Sequence, residues 1–236
     1  MLALGMIRSQ ATDAPIRELK GSFESQGKAI SVEKFEPKSD GKHPAALILH
    51  GAGGMEIGGP EFREFGRELA RRGYVAHVVH YFDQTGTVRA DAPAISKSFA
   101  TWMITIGDAL TAVAGQENVD PGRLGLLGFS LGSYLSLSVA SHDRRVSAVV
   151  EYFGGLPDLF AWNLKRFPPT LILHGDADDV VPVSEARKLA KLLEGKKFPF
   201  EIRVYPGQGH RFRGDDDKDA YQRSLGFFEK YLKKPA

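Results

Sequence analysis

The 236-residue chain contains no cysteine, which excludes a disulfide framework and any metal site built from thiolates. Its seven histidines do not fall into the H-x-H or H-E-x-x-H patterns that are typical of metal sites. The formal net charge of +2 is too small and too evenly spread to favour a nucleic-acid partner. We therefore expect no metal, no other cofactor and no nucleic acid.

The chain also lacks long hydrophobic runs. No uninterrupted apolar stretch approaches the roughly 20 residues needed to span a bilayer, so we expect a soluble protein without a membrane span. Residues 1–7 are apolar, but this stretch is short, contains Gly5 and has no basic residue ahead of it, which favours a cytoplasmic location over a signal peptide. Because residues 9–11 resemble a cleavage site, a trimmed secretion leader stays open as the alternative. The oligomeric state is also left open.

Composition and length together predict one domain. With 42% hydrophobic and 25% charged residues, a chain of this size can bury a sizeable core without dividing in two. Internal repeats, low-complexity tracts and linkers are absent from the sequence. We predict an N-terminal tail at residues 1–18 and a single α/β domain at residues 19–236.

The pattern of apolar residues predicts alternating strands and helices. Two strands around a turn predict an antiparallel start to the sheet. The alternation that follows is typical of a mostly parallel sheet with helices on both faces, and Trp102 and Met103 lie on the core-facing stripe of one helix. Predicted strands cover residues 21–24, 29–35, 45–49, 74–80, 123–127, 146–153, 169–173 and 200–205, and predicted helices cover residues 61–72, 95–113, 133–140, 184–193 and 215–232.

Residues 128–132 read G-F-S-L-G, directly after an apolar run and directly before a stretch of small residues. This G-x-S-x-G pattern is typical of a strand, a sharp turn and a helix, with the serine at the apex. Gly128 and Gly132 leave room where side chains would clash, and the helix N-terminus behind Ser130 favours developing negative charge. Since so short a pattern also arises by chance, its partners decide the prediction.

Those partners follow two later strands. Residues 174–182 read H-G-D-A-D-D-V-V-P, and residues 209–212 read G-H-R-F. The chain order Ser, Asp, His is the order of α/β-hydrolases. We predict Ser130 as the nucleophile and His210 as the base that takes its proton and later returns it to the leaving group.

A carboxylate must orient the imidazole and stabilise its charged form, and three aspartates lie close together in the 174–182 segment. We predict Asp178 in this role. Asp176 and Asp179 are interpreted as turn residues, because aspartate side chains readily accept hydrogen bonds from nearby backbone amides.

The oxyanion that forms during acyl transfer needs two backbone N–H donors. One is predicted from Leu131, the residue after the nucleophile. The other is predicted from the H-G-A-G-G loop at residues 50–54, with Ala52 as the donor and Gly53 as the alternative. This loop lacks the G-K-S/T ending of a phosphate-binding loop and the G-x-G-x-x-G spacing of a dinucleotide fold, so nucleotide binding is not expected.

Two loops at carboxyl ends of strands, residues 81–93 and 154–168, are long enough to shape a substrate pocket. Tyr81, Phe82 and Trp162 are candidate pocket residues, with packing into the domain as the alternative. Arg213 is a candidate to bind a substrate carboxylate, with surface pairing to neighbouring acids as the alternative. No insertion is large enough for a lid domain, so we expect an open cleft for small or medium esters.

Taken together, these motifs resemble a dienelactone hydrolase-like α/β-hydrolase over nearly the whole chain. Family members that open dienelactones carry a cysteine at the turn and a glutamate in the first loop, whereas this chain has Ser130 and the H-G-A-G-G sequence there. The resemblance therefore implies the α/β-hydrolase fold and hydrolytic chemistry, and not the dienelactone substrate.

The sequence predicts a carboxylesterase-type serine hydrolase that cleaves small to medium carboxylic esters or lactones through an acyl-enzyme. A peptidase or amidase of the prolyl-oligopeptidase type shares the serine turn, but such enzymes usually carry a large extra domain. A non-catalytic ligand-binding protein on the same fold typically lacks one member of the triad, whereas Ser130, Asp178 and His210 are all present.

Overall fold

A computed structural model describes residues 14–162 and 164–233 of the chain. Within these residues, eight strands form one sheet in the order β1-β2-β4-β3-β5-β6-β7-β8. The strands are β1 (Ile16–Ser25), β2 (Lys28–Pro37), β3 (His43–Leu49), β4 (Val75–Val79), β5 (Val119–Phe129), β6 (Val146–Tyr152), β7 (Thr170–Gly175) and β8 (Phe200–Tyr205). The helices are α1 (Gly59–Arg71), α2 (Ala92–Ala114), α3 (Leu131–Ala140), α4 (Asp158–Ala161), α5 (Ser184–Gly195) and α6 (Gly214–Phe228), which continues as a π-helical turn at Glu229–Lys233.

Strand directions follow the sequence prediction. β1 pairs with β2 and β2 pairs with β4 in antiparallel fashion, and every other pairing in the sheet is parallel. The first two strands are longer than predicted, and β1 already begins at Ile16. Residues 16–18, which the sequence assigned to the tail, therefore belong to the sheet, because their backbones pair with the end of β2. Residues 1–13 of the predicted tail lie outside the described residues.

The core lies on both faces of the sheet. Successive side chains of a strand point to opposite faces, so Leu47 of β3 packs in one apolar cluster and its neighbour Ile48 in the other. Helices α2, α3 and α5 contribute to the first cluster, and α1 and α6 to the second. Trp102 on α2 is fully buried and Met103 packs partly buried beside it, as the helical stripe predicted.

The parallel strands end at one edge of the sheet, where α/β proteins bind their ligands. In the described part of the chain, the connections at this edge add short segments in place of a lid domain: 3-10 turns at Gly54–Glu56 and Tyr81–Gln84, and the four-residue helix α4. Within the described residues, no helix combines the length and the hydropathy that a membrane span requires.

Candidate active site

Ser130 occupies the sharp turn between β5 and α3. Its backbone has φ 53° and ψ −116°, a strained conformation for a residue with a side chain. A Cβ on Gly128 would meet the backbone of Gly132, and a Cβ on Gly132 would meet the carbonyl oxygen of Leu49. Both glycines are therefore required for close backbone approach, which confirms the reason given for them from the sequence.

The turn is also tied to the neighbouring strand β6. The Ser130 backbone N–H donates to the carbonyl oxygen of Tyr152 at 2.9 Å. The Ser133 hydroxyl donates to the Gly128 carbonyl oxygen at 2.7 Å and accepts from the Tyr152 N–H at 3.0 Å. These bonds satisfy buried backbone groups that the strained turn would otherwise leave unpaired, so the orientation of Ser130 depends on β6.

Three side chains from separate loops meet at this turn. His210, which follows β8, has its Nε2 3.0 Å from Ser130 Oγ and its Nδ1 2.8 Å from Asp178 Oδ2. Donation of the Nδ1–H to the carboxylate leaves Nε2 as an acceptor for the serine hydroxyl. The Asp178 side chain is fully buried, whereas that of His210 is 21% exposed and can be reached from solvent. The structure thus brings together the three residues predicted as a triad.

Asp178 is distinguished from its two neighbours by its contacts. Its Oδ1 accepts the backbone N–H groups of Val180 and Val181, both at 2.9 Å, which leaves Oδ2 facing the imidazole. Asp176 is exposed and accepts the Gly207 N–H at 2.6 Å, as a turn residue does. Asp179 is exposed as well. Of the three aspartates, Asp178 alone contacts His210.

A buried histidine supports Asp178 from behind. His174 lies with Nε2 3.4 Å from Asp178 Oδ2 and donates from that nitrogen to the Val181 carbonyl oxygen at 2.8 Å. Burial lowers the pKa of His174, which favours the neutral ring. We interpret His174 as a support for the acidic loop and not as a second base.

The predicted oxyanion donors lie beside the serine. Leu131 is the first residue of α3, so its N–H has no acceptor within the helix. Gly51, Ala52 and Gly53 line the same cavity as Ser130, and a Cβ on Gly51 would lie 3.3 Å from the Ser130 Cβ. The Ala52 carbonyl oxygen accepts from the Ala90 N–H at 2.8 Å, which holds the loop in place.

A cavity of about 590 Å³ opens over Ser130 and His210. Most of its wall is apolar, and four charged side chains stand on the same wall. The apolar residues are Ile57, Phe62, Phe129, Tyr152, Phe153, Val180 and Phe212, and the charged residues are Glu61, Arg211, Arg213 and Asp217. Sequence reasoning missed Phe153 and Phe212, although Phe153 follows the end of β6 and Phe212 belongs to the G-H-R-F segment.

Some charged residues of the cavity have a partner of opposite charge, and others do not. Arg211 Nη2 lies 3.8 Å from Glu61 Oε2, and burial raises the pKa of Glu61 and of Asp217. The backbone N–H of Arg213 donates to the Gln208 side chain, but its guanidinium has no acidic partner among residues 14–162 and 164–233. Arg213 therefore lines the cavity without an acidic partner among those residues, and its role in binding substrate stays a prediction.

Comparison with known proteins agrees with this geometry. Residues 30–232 match the model of the dienelactone hydrolase family. The chain belongs to this family. It is therefore a hydrolase with the α/β-hydrolase fold, and the resemblance seen in the motifs is confirmed.

Relatives of this dienelactone hydrolase family member cover most of its length. A carboxymethylenebutenolidase from Rhodococcus opacus is 27% identical to it over 197 residues, which span 73% of this chain and 77% of the relative. A dienelactone hydrolase-like promiscuous phosphotriesterase from metagenomic libraries matches in structure with a TM-score of 0.77 at 17% identity, over 92% of this chain and 99% of that chain. An acylaminoacyl peptidase from Pyrococcus horikoshii matches with a TM-score of 0.76 at 16% identity, over 94% of this chain and 42% of that chain. At such low identity, both structures show the shared fold.

Tyr81 and Phe82 were predicted as pocket residues, and the structure places both in the core instead. Tyr81 is fully buried and its hydroxyl donates to the His50 carbonyl oxygen at 2.7 Å. Its ring stacks on the His50 imidazole at 4.1 Å, and Phe82 packs against Trp102 at 4.6 Å. These contacts turn the two rings beneath the first glycine-rich loop and away from the cavity.

His50 completes this support. Its side chain is buried, and burial lowers its pKa to about 4, so the ring is neutral at pH 7. The Nδ1 atom contacts the Gly51 carbonyl oxygen at 2.9 Å. His50 and Tyr81 therefore support the loop that carries the predicted oxyanion donor, beneath the candidate site.

The prediction of Trp162 as a pocket residue is wrong as well. Trp162 follows α4, is 87% exposed and lies outside the cavity lining. The apolar residues of its loop are divided, because Leu156 and Phe167 pack into the core while Leu159 stays exposed. The alternative for this loop, a short helix packed on the domain, describes α4, because Phe160 and Ala161 pack against the core while Trp162 itself stays exposed.

Proposed function

We propose that this protein is a serine hydrolase that cleaves small to medium carboxylic esters or lactones through an acyl-enzyme intermediate. The observation that carries the proposal is the position of His210, which bridges Ser130 Oγ at 3.0 Å and Asp178 Oδ2 at 2.8 Å beside the cavity. A serine hydroxyl is a weak nucleophile until a base takes its proton. An imidazole oriented by a buried carboxylate is suited to that task near neutral pH.

Acylation begins when Ser130 Oγ attacks the carbonyl carbon of the ester and its proton passes to His210 Nε2. The carbonyl oxygen then carries the negative charge and accepts hydrogen bonds from the N–H groups of Leu131 and Ala52, with Gly53 as the alternative to Ala52. Each such donor lowers the barrier by roughly 3 to 4 kcal/mol. His210 returns the proton to the alkoxide oxygen as the carbon–oxygen bond breaks, and the acyl group remains on Ser130.

Deacylation repeats these steps with water. A water molecule gives a proton to His210 Nε2 and attacks the acyl carbon. The bond to Ser130 Oγ breaks, the proton moves from His210 to that oxygen, and the carboxylic acid leaves. With a lactone, the alkoxide of the first step stays tethered to the acyl group, so one hydroxy acid is the product. Asp178 keeps its carboxylate beside Nδ1 throughout and stabilises the transient imidazolium.

The shape of the cavity supports small or medium substrates. A volume of about 590 Å³ lies within the range of small-molecule sites, and the apolar wall suits an acyl or alcohol chain. The unpaired guanidinium of Arg213 suits substrates with a negatively charged group, because an arginine can bind a carboxylate with two hydrogen bonds. Arg213 stays a proposed substrate-binding residue.

We expect Arg213→Gln to raise KM about tenfold for an ester with a free carboxylate, such as mono-p-nitrophenyl succinate, and to change KM little for neutral p-nitrophenyl butyrate. The substitution removes the cation while keeping a polar side chain. The matched control is Arg203→Gln, which removes an exposed arginine on β8 that lies outside the cavity lining. Equal effects on both esters would argue against charge recognition by Arg213.

A peptidase or amidase of the prolyl-oligopeptidase type is the second candidate. The structural match to an acylaminoacyl peptidase supports the shared fold, and this chain spans 42% of that longer protein. The preference of this chain for amides or esters therefore has to be measured on both kinds of substrate. A non-catalytic ligand-binding protein is the third candidate, and it is disfavoured because the hydrogen bonds among Ser130, His210 and Asp178 are all in place.

The proposal is tested by rates on p-nitrophenyl esters of rising acyl length, a simple lactone and a dipeptide amide. We expect fastest turnover on short and medium esters, a steep fall for long chains that exceed the cavity, and slow cleavage of the amide. A fluorophosphonate probe should label Ser130, as located by mass spectrometry. Faster cleavage of the amide than of any ester supports the peptidase, and a folded protein with neither turnover nor labelling supports the ligand-binding protein.

A further inference from the structure

Glu151 is a buried acid that the steps above do not use. It lies on β6, beside the strand that leads to Ser130, and is fully buried. Its Oε2 accepts the backbone N–H of Gly154 at 2.9 Å, while its Oε1 has no hydrogen-bond partner among the described residues. Burial raises the pKa of Glu151 to about 8. Since an apolar residue would avoid this cost of burial, the carboxyl group requires an explanation.

The hydrogen bond from Gly154 to Glu151 closes a turn around Phe153. Phe153 has φ 44°, in the left-handed region that is strained for a residue with a side chain. Its own N–H donates to the Leu173 carbonyl oxygen at 2.8 Å. Gly154 packs so closely on α3 that a Cβ there would meet the Ser133 side chain. The strained conformation is thus held from both sides, by β7 and by the Glu151 carboxyl.

This conformation directs the Phe153 ring at the catalytic centre. The ring lies 4.7 Å from the His210 ring and 5.4 Å from the Phe212 ring, centroid to centroid. It also lines the cavity over Ser130. His210 is located on a loop after β8, and a packed neighbour limits the rotamers that its ring can adopt.

We propose that Glu151 is a positioning residue for His210, which rests on the serine hydrolase function proposed above. Its carboxyl binds the Gly154 N–H and thereby holds Phe153 in the left-handed conformation. The Phe153 ring in turn holds the imidazole between Ser130 Oγ and Asp178 Oδ2. Glu151 acts through two other residues and does not touch the substrate.

Burial favours the neutral form of Glu151, because it raises the pKa of the carboxyl group. A neutral carboxyl still offers its carbonyl oxygen to the Gly154 N–H. Glutamine has the same acceptor at nearly the same size, which makes it the conservative replacement.

The test compares Glu151→Leu, which removes the acceptor, with Glu151→Gln, which keeps it. We expect Glu151→Leu to lower kcat for p-nitrophenyl butyrate about 10- to 100-fold with KM changed less than threefold, because the ester still fits but the base is misplaced. Glutamine should restore kcat to within about threefold of the parent. Rates are normalised to sites titrated with the fluorophosphonate, so that loss of folded protein is not counted. The matched control is Glu194→Leu, at an exposed glutamate of α5.

The low-field proton resonance of His210 Nδ1–H gives a second readout that needs no turnover. We expect it to shift or broaden in Glu151→Leu and to stay near the parent position in Glu151→Gln. If Glu151→Leu does not fold, Phe153→Leu replaces it, and the same loss of kcat and the same change in the resonance are expected. Parent-like kcat and resonance in the folded variants, or equal losses for Leu and Gln at position 151, would overturn the proposal.

These outcomes are distinct from failure of the proposed function. A folded parent that neither turns over esters nor reacts with the fluorophosphonate contradicts the hydrolase proposal, and the His210 resonance then still reports whether Glu151 positions the ring. An active parent with an indifferent Glu151→Leu variant contradicts the positioning role alone.

Discussion

Ser130→Ala is expected to lower kcat for short p-nitrophenyl esters by roughly 10⁴- to 10⁶-fold. The substitution removes the atom that forms the acyl-enzyme. The strained backbone of the turn tolerates alanine as it does serine, since alanine keeps the Cβ and lacks only Oγ. The loss is measured as initial rates under saturating ester, and the folded state is checked by circular dichroism. Fluorophosphonate labelling should disappear together with the turnover.

The control for this variant is Ser96→Ala, which changes an exposed serine on the outer side of α2. It should keep the parent rate. If folded Ser130→Ala hydrolysed the ester as fast as the parent, or if the probe still labelled the protein at another residue, Ser130 would not be the nucleophile.

Asp178→Asn is expected to lower kcat by roughly 10⁴-fold. The asparagine oxygen can still accept the N–H groups of Val180 and Val181, so the loop keeps its conformation. Its amide group, however, donates to His210 Nδ1, which moves the ring proton to Nε2. A protonated Nε2 cannot accept the hydroxyl proton of Ser130, so the base is lost although the residue positions are retained.

Two neighbouring aspartates provide the controls. Asp179→Asn and Asp176→Asn each remove a negative charge within two residues of Asp178, but neither side chain contacts His210. Both variants should stay within about threefold of the parent kcat. A loss in Asp179→Asn as large as that in Asp178→Asn would show that the local charge, and not the contact with the imidazole, supports catalysis.

Much of the fold was predictable because it depends on short-range patterns. Strand β3 is apolar on both of its faces, as a buried strand requires. The apolar stripe on α2 that contains Trp102 repeats at helical spacing. The turn at Ser130 needed glycines at residues 128 and 132, since backbone atoms approach there too closely for a Cβ. These constraints act within a few residues, so they are visible in the sequence.

The candidate pocket was predicted less well, because its wall depends on where side chains turn. Tyr81 and Phe82 follow a strand end, where pocket residues are common, yet a hydrogen bond to His50 and packing on Trp102 turn them into the core. Trp162 is apolar but is carried to the surface by α4. Arg213 does line the cavity, although the neighbouring acids in the sequence favoured surface pairing for it.

Local sterics and periodicity encode the order of strands and helices and the three loops that bear Ser130, Asp178 and His210, because each depends on neighbours along the chain. The choice of Asp178 over its neighbours, the support of the glycine-rich loop by Tyr81, and the packing of the Phe153 ring against His210 arise from contacts between residues that are distant in sequence. Such contacts exist only once the sheet has assembled, since packing of separate elements, and not the pattern of any one segment, decides which side chains face the cavity.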